Sequence, residues 1–529
     1  MSGAPSTQLQ QALYAVGESL RRGEIARAME LSEQAIAQGL EDASLLTLAG
    51  QRRLRAGMPQ DALAPLVRAR EIAPGKIEGL DTLGVCLTQL GRGPEAVRVF
   101  DEALAVAPQI ASLHLHKAQT LEETGTLHKA QAVLEELLVL EPGNAQALAR
   151  LAVLAARRGD TAAARDFAAR VLAVEPLPAA TIALAMADLQ DKLFDAARDR
   201  LSVLLADARM SPIDMSVAQG LMGDALDGLD RPDKAFASYA TSRETLRQAT
   251  TGLLHGREGG LARVRRIDSY FRSAPLKYWQ AKAKGAAPAV THVFLVGFPG
   301  SGTALLARAL AGYRDVQILE DADCFADTLR VFVDRPGGLV HFAALDEAEI
   351  QRCRAAYWKR VNEAGCKPER SVFIDKMPLN ILHLGLVARL FPYAKILFAQ
   401  RDPRDVAFSC FRRRLVLSAQ TYELTGLDSA ATFYAAVMDL AQFYRDKLGL
   451  AIFDSKHEEL LADFAGGMQK ICDFLGLAHE GESEPLNNLE NVPGLNQASA
   501  GRWRRYRAQL EPVLPILTPW IDRFGYKES

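Results

Sequence analysis

The stretch that decides the fold of the C-terminal half is Val293-Phe-Leu-Val-Gly-Phe-Pro-Gly-Ser-Gly-Thr303. It opens with four apolar residues, which predict a buried strand of a parallel sheet. Glycine and proline then force a tight turn, and the apolar spacing from Thr303 onward predicts a helix. A strand, a glycine turn and a helix N-terminus together form a cradle for an anion, because backbone N–H groups point inward and the helix dipole favours negative charge.

Phosphate is the anion that best suits such a cradle. The absence of a lysine from the turn limits which phosphate chemistry the sequence predicts. A nucleoside triphosphatase loop reads G-x-x-x-x-G-K-[ST], and its lysine reaches the β- and γ-phosphates. Gly297 and Gly302 have this spacing, but Thr303 follows at once with no lysine between. The sequence therefore argues against hydrolysis of ATP or GTP. Considered alone, the stretch also fits a βα turn that binds nothing.

The length of 529 residues predicts about two to four domains. A formal net charge of −2 gives no reason to expect binding to nucleic acid or to an anionic membrane surface. The N-terminus has neither a basic region nor an apolar core, and no apolar run is long enough to span a bilayer, so we expect no signal peptide and no transmembrane helix. The six cysteines are scattered, which fits a reducing compartment, and the expected location is cytoplasmic.

The N-terminal half repeats itself every 34 residues. Glycine suits the turn between two helices, a small alanine lets the helices approach closely, and proline ends the second helix. This pattern looks like tetratricopeptide repeats. We expect about seven, the last two near Ala197 and Ala235 slipping in register around Asp207 to Pro212. The recurring positions are Gly23, Gly57, Gly91, Gly125 and Gly159, with Ala28, Ala62, Ala96, Ala130 and Ala164, and with Pro74, Pro108, Pro142 and Pro176.

Such repeats predict an α superhelix whose concave surface holds a peptide or protein segment, although a spacer or dimer scaffold is the alternative. We place the array at residues 1–245, a helical connector and linker at 246–290, and an α/β domain at 291–529. Within the connector, Arg257 to Arg272 has helical character, and the small and polar residues 281–289 resemble a linker.

Three further segments of the C-terminal half combine strands with charged turns. Residues 315–323 are a short apolar run that ends in carboxylates, as at the C-terminal edge of a parallel strand where ligands lie. Residues 371–376 and 394–400 are predicted strands, each followed by a polar turn and a helix. This alternation is typical of a doubly wound α/β fold with a parallel sheet, here with a P-loop-like turn.

Besides the cradle, three motifs follow in order: Asp-Lys-Met-Pro-Leu-Asn (375–380), Arg-Asp-Pro-Arg-Asp-Val-Ala-Phe-Ser-Cys-Phe (401–411) and Gly-Arg-Trp-Arg-Arg-Tyr (501–506). These four motifs resemble those of bacterial sulfotransferases fused to tetratricopeptide repeats, whose catalytic domain is similar to that of tyrosylprotein sulfotransferases. The cradle resembles the 5′-phosphosulfate loop F-P-R-S-G-T-T, with Gly300 in place of the arginine and Ala304 in place of the second threonine. The resemblance covers both halves of the chain and implies 3′-phosphoadenosine 5′-phosphosulfate as the donor co-substrate.

The resemblance implies a donor site. Arg401 and Ser409 match the family's ligands of the 3′-phosphate, and Ser409 flanks the same group only if the intervening turn folds back. Arg502 lies in the late loop that closes on the nucleotide, and is a second candidate for that phosphate. The implied donor-binding residues are Pro299, Gly300, Ser301, Gly302, Thr303, Ala304, Arg401, Ser409, Gly501, Arg502 and Trp503.

The resemblance also implies two catalytic residues. Glu320 matches the general base, and Lys376 matches the lysine that stabilises charge on the transferring group and the leaving oxygen. Asp321 and Asp323 are close competitors for the base, and a solvated acidic turn is the alternative interpretation. Lys376 could equally pair with Asp375 as an exposed salt bridge.

The sequence predicts no metal site, because the histidines have no ligand spacing. His457 stands where relatives often carry tyrosine, and we expect a structural role for it; His341 is a distant alternative base. Gly300 removes one charged contact from the loop. The candidate substitutes for that charge are Arg308, Arg314 and Arg412.

The sequence therefore favours a sulfotransferase that moves a sulfuryl group from 3′-phosphoadenosine 5′-phosphosulfate to an acceptor hydroxyl. A protein tyrosine presented by the repeats is an attractive acceptor, while a glycan, a lipid or a small phenol is equally open. One alternative is a repeat-mediated binding scaffold with a degenerate, nucleotide-binding domain that is weakly active or inactive. Another is a kinase or other nucleoside triphosphatase, which the missing loop lysine opposes.

Overall fold

The computed structural model describes residues 7–207, 209–254, 256–280, 290–413, 417–477 and 500–526. The chain divides into two compact units, Met1–Ala187 and Asp188–Ser529. The predicted linker at residues 281–289 lies outside the described residues. The three predicted domain ranges stay a prediction.

The first unit is built from helical hairpins, as the repeats predict. The turn glycines have left-handed backbones, with φ of +72° at Gly57 and +86° at Gly159. The recurring alanines from Ala28 to Ala164 are fully buried between helices. Its helices are α1 (Thr7–Arg21), α2 (Ile25–Ala37), α3 (Ala43–Arg55), α4 (Pro59–Ile72), α5 (Ile77–Gln89), α6 (Gly93–Val106), α7 (Ala111–Glu123), α8 (Leu127–Leu140), α9 (Ala145–Arg158), α10 (Thr161–Leu172) and most of α11 (Pro178–Gln190).

The apolar core of this unit continues from one hairpin into the next. One cluster joins Leu66 of α4, Leu83 of α5, Phe100 of α6 and Leu113 of α7. Gly84 on α5 allows the close approach of α6, since a Cβ atom there would lie 2.5 Å from the ring of Phe100. A helical hairpin cannot bury its apolar face alone, and stacking on its neighbours completes the core.

The second unit begins with helices at the positions of the last two predicted repeats. Ala197 and Ala235 are fully buried, and Gly223 approaches the ring of Tyr239. The predicted connector helix is confirmed, beginning at Gly260 rather than Arg257. The helices are α12 (Phe194–Leu205), α13 (Pro212–Gly228), α14 (Pro232–Ala249) and α15 (Gly260–Ser273), with 3-10 turns at Thr251–Leu254 and Leu276–Tyr278.

A five-stranded parallel sheet forms the centre of the second unit, in the order β2-β3-β1-β4-β5. The sequence indicated the first four strands and did not predict β5, an edge strand. Because the strands are parallel, the segments that follow their carboxyl ends meet at one edge of the sheet. The strands are β1 (Thr291–Gly297), β2 (Val316–Glu320), β3 (Val372–Lys376), β4 (Lys395–Gln400) and β5 (Ala451–Lys456).

Helices cover both faces of the sheet, which confirms the doubly wound class. Val293 and Leu295 pack towards α16 and α24, while Phe294 and Val296 pack into the larger core that contains α15, α19 and α22. The helices are α16 (Thr303–Ala311), α17 (Ala326–Thr328), α18 (Gly338–Ala344), α19 (Glu347–Glu363), α20 (Leu384–Leu390), α21 (Pro403–Arg412), α22 (Leu427–Lys447), α23 (His457–Ala462), α24 (Phe464–Leu475), α25 (Arg507–Leu510) and α26 (Leu514–Arg523).

Short helical turns complete the second unit. A π-helix covers Leu329–Val333, and 3-10 turns cover Pro378–His383, Tyr422–Thr425, Arg502–Tyr506 and Glu511–Val513. Within the described ranges, no helix combines the length and the apolar character needed to cross a membrane.

Replacing Gly84 with alanine tests the close packing of the repeats. The new methyl group would meet the Phe100 ring at 2.5 Å, so we expect a loss of about 1–3 kcal/mol in stability from overpacking. The measurement is the thermal midpoint of the full chain, followed by far-UV circular dichroism. Gly75→Ala is the matched control, because nothing lies within 4 Å of a Cβ atom there. Equal midpoints for the two variants would contradict the packing argument.

Candidate active site

The glycine turn after β1 is held against the segment that follows β4. Gly300 and Gly302 have φ of +89° and +103°, which glycine adopts without strain. Arg401 Nη1 donates to the carbonyl of Gly300 at 3.3 Å, and Cys410 Sγ donates to the carbonyl of Pro299 at 3.0 Å. Gly302 is the N-cap of α16, whose first N–H groups have no acceptor within the helix.

Two buried polar side chains beside this turn have no hydrogen-bond partner among the described residues. They are the hydroxyl of Ser301 and the ring of His457, both of whose nitrogens are unpaired. A Cβ atom on Gly302 would lie 2.9 Å from His457 Nδ1, so the ring lies directly against the turn. Burial, together with Arg401 and Arg413, lowers the pKa of His457 to about 4, and the ring is therefore neutral. Buried polar atoms without partners are rare and call for an explanation, such as a bound ligand.

Arg401 and Ser409 come together at Gly300. Arg401 follows β4 directly and its side chain is buried; its Nη2 lies 3.6 Å from Asp405 Oδ2. Ser409 lies on α21, and a Cβ atom built on Gly300 would be 3.2 Å from its hydroxyl. The chain thus folds back so that Arg401 and Ser409 lie together. Their shared role as ligands of the 3′-phosphate stays a prediction.

The remaining residues of the turn differ in exposure. Thr303 is buried and begins α16, Pro299 is half-buried, and Ala304 is exposed. Of the suggested substitutes for the missing arginine, Arg412 donates to Asp224 of α13 at 2.8 Å, while Arg308 and Arg314 are exposed.

Lys376, Glu320 and Asp321 form an ion-pair cluster at the ends of β3 and β2. Glu320 and Lys376 are direct neighbours in the register of these strands. Lys376 Nζ lies 3.2 Å from Glu320 Oε2 and 2.9 Å from Asp321 Oδ2. The lysine side chain is 7% exposed, whereas the two carboxylates are 54% and 55% exposed. A buried cation thus lies beside two accessible carboxylates.

Asp321 has an unusual backbone that turns the chain at this point. Its φ is +54°, and its N–H donates to the carbonyl of Lys376 at 2.9 Å. A left-handed backbone at a residue other than glycine is costly and often marks a functional site. Asp323 is the third candidate base, but the ion pairs of Lys376 within the described residues go to Glu320 and Asp321.

Asp375 does not pair with Lys376, so that interpretation of the sequence is wrong. Successive residues of a strand point to opposite faces of the sheet. Asp375 is fully buried on the other face, where it accepts from Tyr357 Oη at 2.7 Å, and Tyr357 lies 3.0 Å from His292 Nε2. Burial raises the pKa of Asp375 to about 7 and lowers the pKa of His292 to about 3.

The loop at residues 501–503 is joined to Arg401 through Asp405. The buried carboxylate of Asp405 accepts from Gly501 N at 2.6 Å and from Trp503 N at 2.9 Å. Burial raises the pKa of Asp405, although Arg401 and these N–H groups act in the opposite direction. The Trp503 ring stacks on the guanidinium of Arg404 at 3.7 Å. Gly501 and Trp503 therefore lie close to the other predicted donor residues.

Arg502 and its basic neighbours are paired with acidic residues of α13 and of the turn that follows it. Arg502 forms an ion pair with Asp227, and Arg505 Nη2 lies 2.7 Å from Asp230 Oδ1. These partners lie about 275 residues away in sequence. Sequence spacing gave no signal for these pairings, because the partners are so far apart along the chain.

The part of the chain that the structure describes contains no group of three or more histidine, cysteine, aspartate or glutamate residues that could hold a metal ion. His341 is exposed on α18, in contact with the ring of Phe332. His383 is buried, and burial holds its pKa well below the usual value. His457 begins α23 directly after β5, a strand that the sequence did not predict, and the structural role expected for it stays a prediction.

The fold and the site define an α/β domain with a glycine turn and a helix N-terminus directly after its first strand. Residues 292–481 match the model of the sulfotransferase family. The C-terminal part of the chain therefore carries a sulfotransferase-family domain, as the motifs implied.

Similar proteins were also found for longer stretches of the chain. An uncharacterized protein of Aquifex aeolicus is 21% identical over 76% of this chain, and the chain spans only about half (54%) of that relative's length. A tetratricopeptide repeat protein from Parabacteroides merdae is 14% identical, with 45% of this chain and 94% of that one covered and a TM-score of 0.39. A thermophilic repeat protein of Thermus thermophilus is 20% identical, with 37% and 100% covered and a TM-score of 0.29.

Asp375 predicts a dependence of stability on pH. Its pKa is about 7 in the folded protein and near 4 in an unfolded chain, so only the folded state holds this proton between those values. The contribution of Asp375 to stability therefore declines as pH rises from about 4 to 7. Asp375→Asn, which cannot ionise, should gain on the order of a few kcal/mol relative to the wild type between pH 5 and pH 8.

The measurement is the difference in thermal midpoint between Asp375→Asn and the wild type at each pH. Asp446→Asn, at an exposed position on α22, is the control. A difference that stays constant across this range would show that Asp375 is ionised in the fold.

Proposed function

We propose that this protein is a sulfotransferase that moves a sulfuryl group from 3′-phosphoadenosine 5′-phosphosulfate to an acceptor hydroxyl. The observation that carries the proposal is the pair of buried, unpaired side chains, Ser301 and His457, at the N-terminus of α16. Leaving such groups unsatisfied costs about 1–3 kcal/mol each, and an anionic ligand at the helix N-terminus would accept from the Ser301 hydroxyl and from the single N–H of the neutral His457 ring.

Residues of the turn would hold the donor's 5′-phosphosulfate. The N–H groups at the start of α16, the Ser301 hydroxyl and the Thr303 side chain provide donors for it. Arg401 provides a fork suited to a dianionic phosphate, and Ser409 lies with it against Gly300. The loop that contains Gly501 and Trp503, joined to Arg401 through Asp405, would close on the nucleotide.

The cluster around Lys376 would carry out the chemistry. Glu320 would accept the proton of the acceptor hydroxyl as the new oxygen–sulfur bond forms. Lys376 would stabilise the negative charge that develops on the phosphate oxygen as its bond to sulfur breaks. Because Lys376 contacts both carboxylates, Asp321 is the direct competitor of Glu320 for the role of base.

The acceptor we favour is a tyrosine of a protein segment bound by the helical repeats, since repeat arrays typically bind such segments. A glycan, a lipid or a small phenol would meet the same carboxylates. Gly300 favours a second candidate function, a binding scaffold with a weakly active or inactive domain, because it leaves the turn without its usual charged side chain.

Calorimetric titration with 3′-phosphoadenosine 5′-phosphate tests the donor site. The wild type should bind, and Arg401→Ala should lose about 10- to 100-fold in affinity, the value of one charge-assisted contact. Arg445→Ala, which removes a partly exposed partner of Asp454, is the matched control and should bind normally. A folded wild type that does not bind the nucleotide would contradict the proposed function.

A second experiment tests the base. Transfer of labelled sulfate to tyrosine peptides and simple phenols should fall by about 10²–10⁴-fold in Glu320→Gln, while the affinity for 3′-phosphoadenosine 5′-phosphate stays unchanged. Asp321→Asn is the matched comparison, because it removes a charge from the same cluster. A larger loss in Asp321→Asn would move the role of base to Asp321, and full turnover in both variants would refute carboxylate catalysis here.

A further inference from the structure

The hairpin α13–α14 packs against the elements that carry the predicted donor residues. Phe236 of α14 stacks on Phe411 of α21, with ring centroids 5.0 Å apart, and Tyr239 meets the edge of Phe408. Tyr506 stacks on Phe408, with ring centroids 4.1 Å apart. The spacing of its alanine and glycine residues is that of a repeat. Its aromatic side chains, however, pack against α21 and Tyr506 of the α/β domain.

Asp227 on α13 lies at the centre of this contact. Its side chain is 2% exposed; it accepts from Tyr506 Oη at 2.7 Å and forms ion pairs with Arg502 and Arg505. Burial acts to raise the pKa of Asp227, but the Tyr506 hydroxyl and Arg502 outweigh it and hold the pKa below its usual value. Asp227 is therefore a buried anion, and removing one partner of such a pair is costly.

Arg502 is fixed from two sides. The N–H groups of its neighbours, Gly501 and Trp503, are bonded to Asp405, which also lies next to Arg401. Its guanidinium, 31% exposed, is held by Asp227. A long cationic side chain loses rotamer freedom when it binds a ligand, and fixing it beforehand removes part of that cost.

We propose that Asp227 is a positioning residue for the donor, holding Arg502 ready beside Arg401 to bind the nucleotide's 3′-phosphate. The inference rests on the proposed function, and it assigns a role in donor binding to a helix of the repeat region. The hairpin α13–α14 is then a working part of the donor site.

The test compares two nucleotides that differ in the 3′-phosphate. Asp227→Asn should lower the affinity for 3′-phosphoadenosine 5′-phosphate about tenfold and leave the affinity for adenosine 5′-phosphate unchanged, both measured by calorimetry on the full chain. Asp230→Asn is the matched control, because this 88% exposed carboxylate of the same turn contacts Arg505 rather than Arg502. It should change neither affinity by more than about twofold.

A double-mutant cycle shows whether Asp227 acts through Arg502. In an Arg502→Ala background, Asp227→Asn should cause no further loss of affinity. If Asp227→Asn does not fold, Tyr506→Phe serves instead, since it removes the hydroxyl bonded to Asp227 and keeps the ring stacked on Phe408. Tyr506→Phe should lose less affinity than Asp227→Asn, and the loss should again be confined to 3′-phosphoadenosine 5′-phosphate.

Three results would overturn the inference: unchanged or tighter binding in a folded Asp227→Asn, equal losses for both nucleotides, or a loss that persists without Arg502. Its failure is distinct from failure of the proposed function. If only the inference fails, the wild type still binds 3′-phosphoadenosine 5′-phosphate normally. If the proposed function fails, the wild type does not bind this nucleotide at all.

Discussion

The buried carboxylate of Asp405 joins the segments that form the candidate donor site. It accepts from Gly501 N and Trp503 N, and it lies 3.6 Å from Arg401, whose guanidinium in turn donates to the glycine turn. Burying a charge is costly unless it is paired and hydrogen-bonded, and here backbone N–H groups and a guanidinium do both. One carboxylate thus connects the segments after β1 and β4 with a loop near residue 500.

A second set of carboxylates extends this arrangement to the helical region. Three carboxylates, spaced three residues apart along α13 and the turn after it, each form an ion pair with an arginine. The pairs are Asp224 with Arg412, Asp227 with Arg502 and Asp230 with Arg505. These contacts belong to one compact unit that begins at Asp188 and contains both the hairpin α13–α14 and the sheet. This compact unit therefore includes helices that residue spacing alone assigns to the repeats.

Sequence alone predicted the features that follow from periodicity. The glycine, alanine and proline positions predicted the helical hairpins, and apolar runs with polar ends indicated four of the five strands. The strand β5, Ala451–Lys456, was missed because it is an edge strand whose side chains are mostly half-exposed or exposed, so its apolar pattern is weak.

The contacts at the candidate site were harder to predict. The pairing of Arg502 with Asp227 joins residues about 275 positions apart, and no local pattern encodes it. Asp375 and Lys376 are adjacent in sequence, but strand alternation separates them and gives Lys376 the partners Glu320 and Asp321. The unpaired ring of His457 depends on burial, which spacing does not report.

A crystal structure of the full chain with 3′-phosphoadenosine 5′-phosphate would show whether the donor nucleotide binds at the glycine turn after β1. We expect the 5′-phosphate at the N-terminus of α16, within hydrogen-bond distance of Ser301 and the first helical N–H groups, and Arg401 at the 3′-phosphate. A nucleotide bound elsewhere, with the Ser301 hydroxyl and the His457 ring still unpaired, would contradict it.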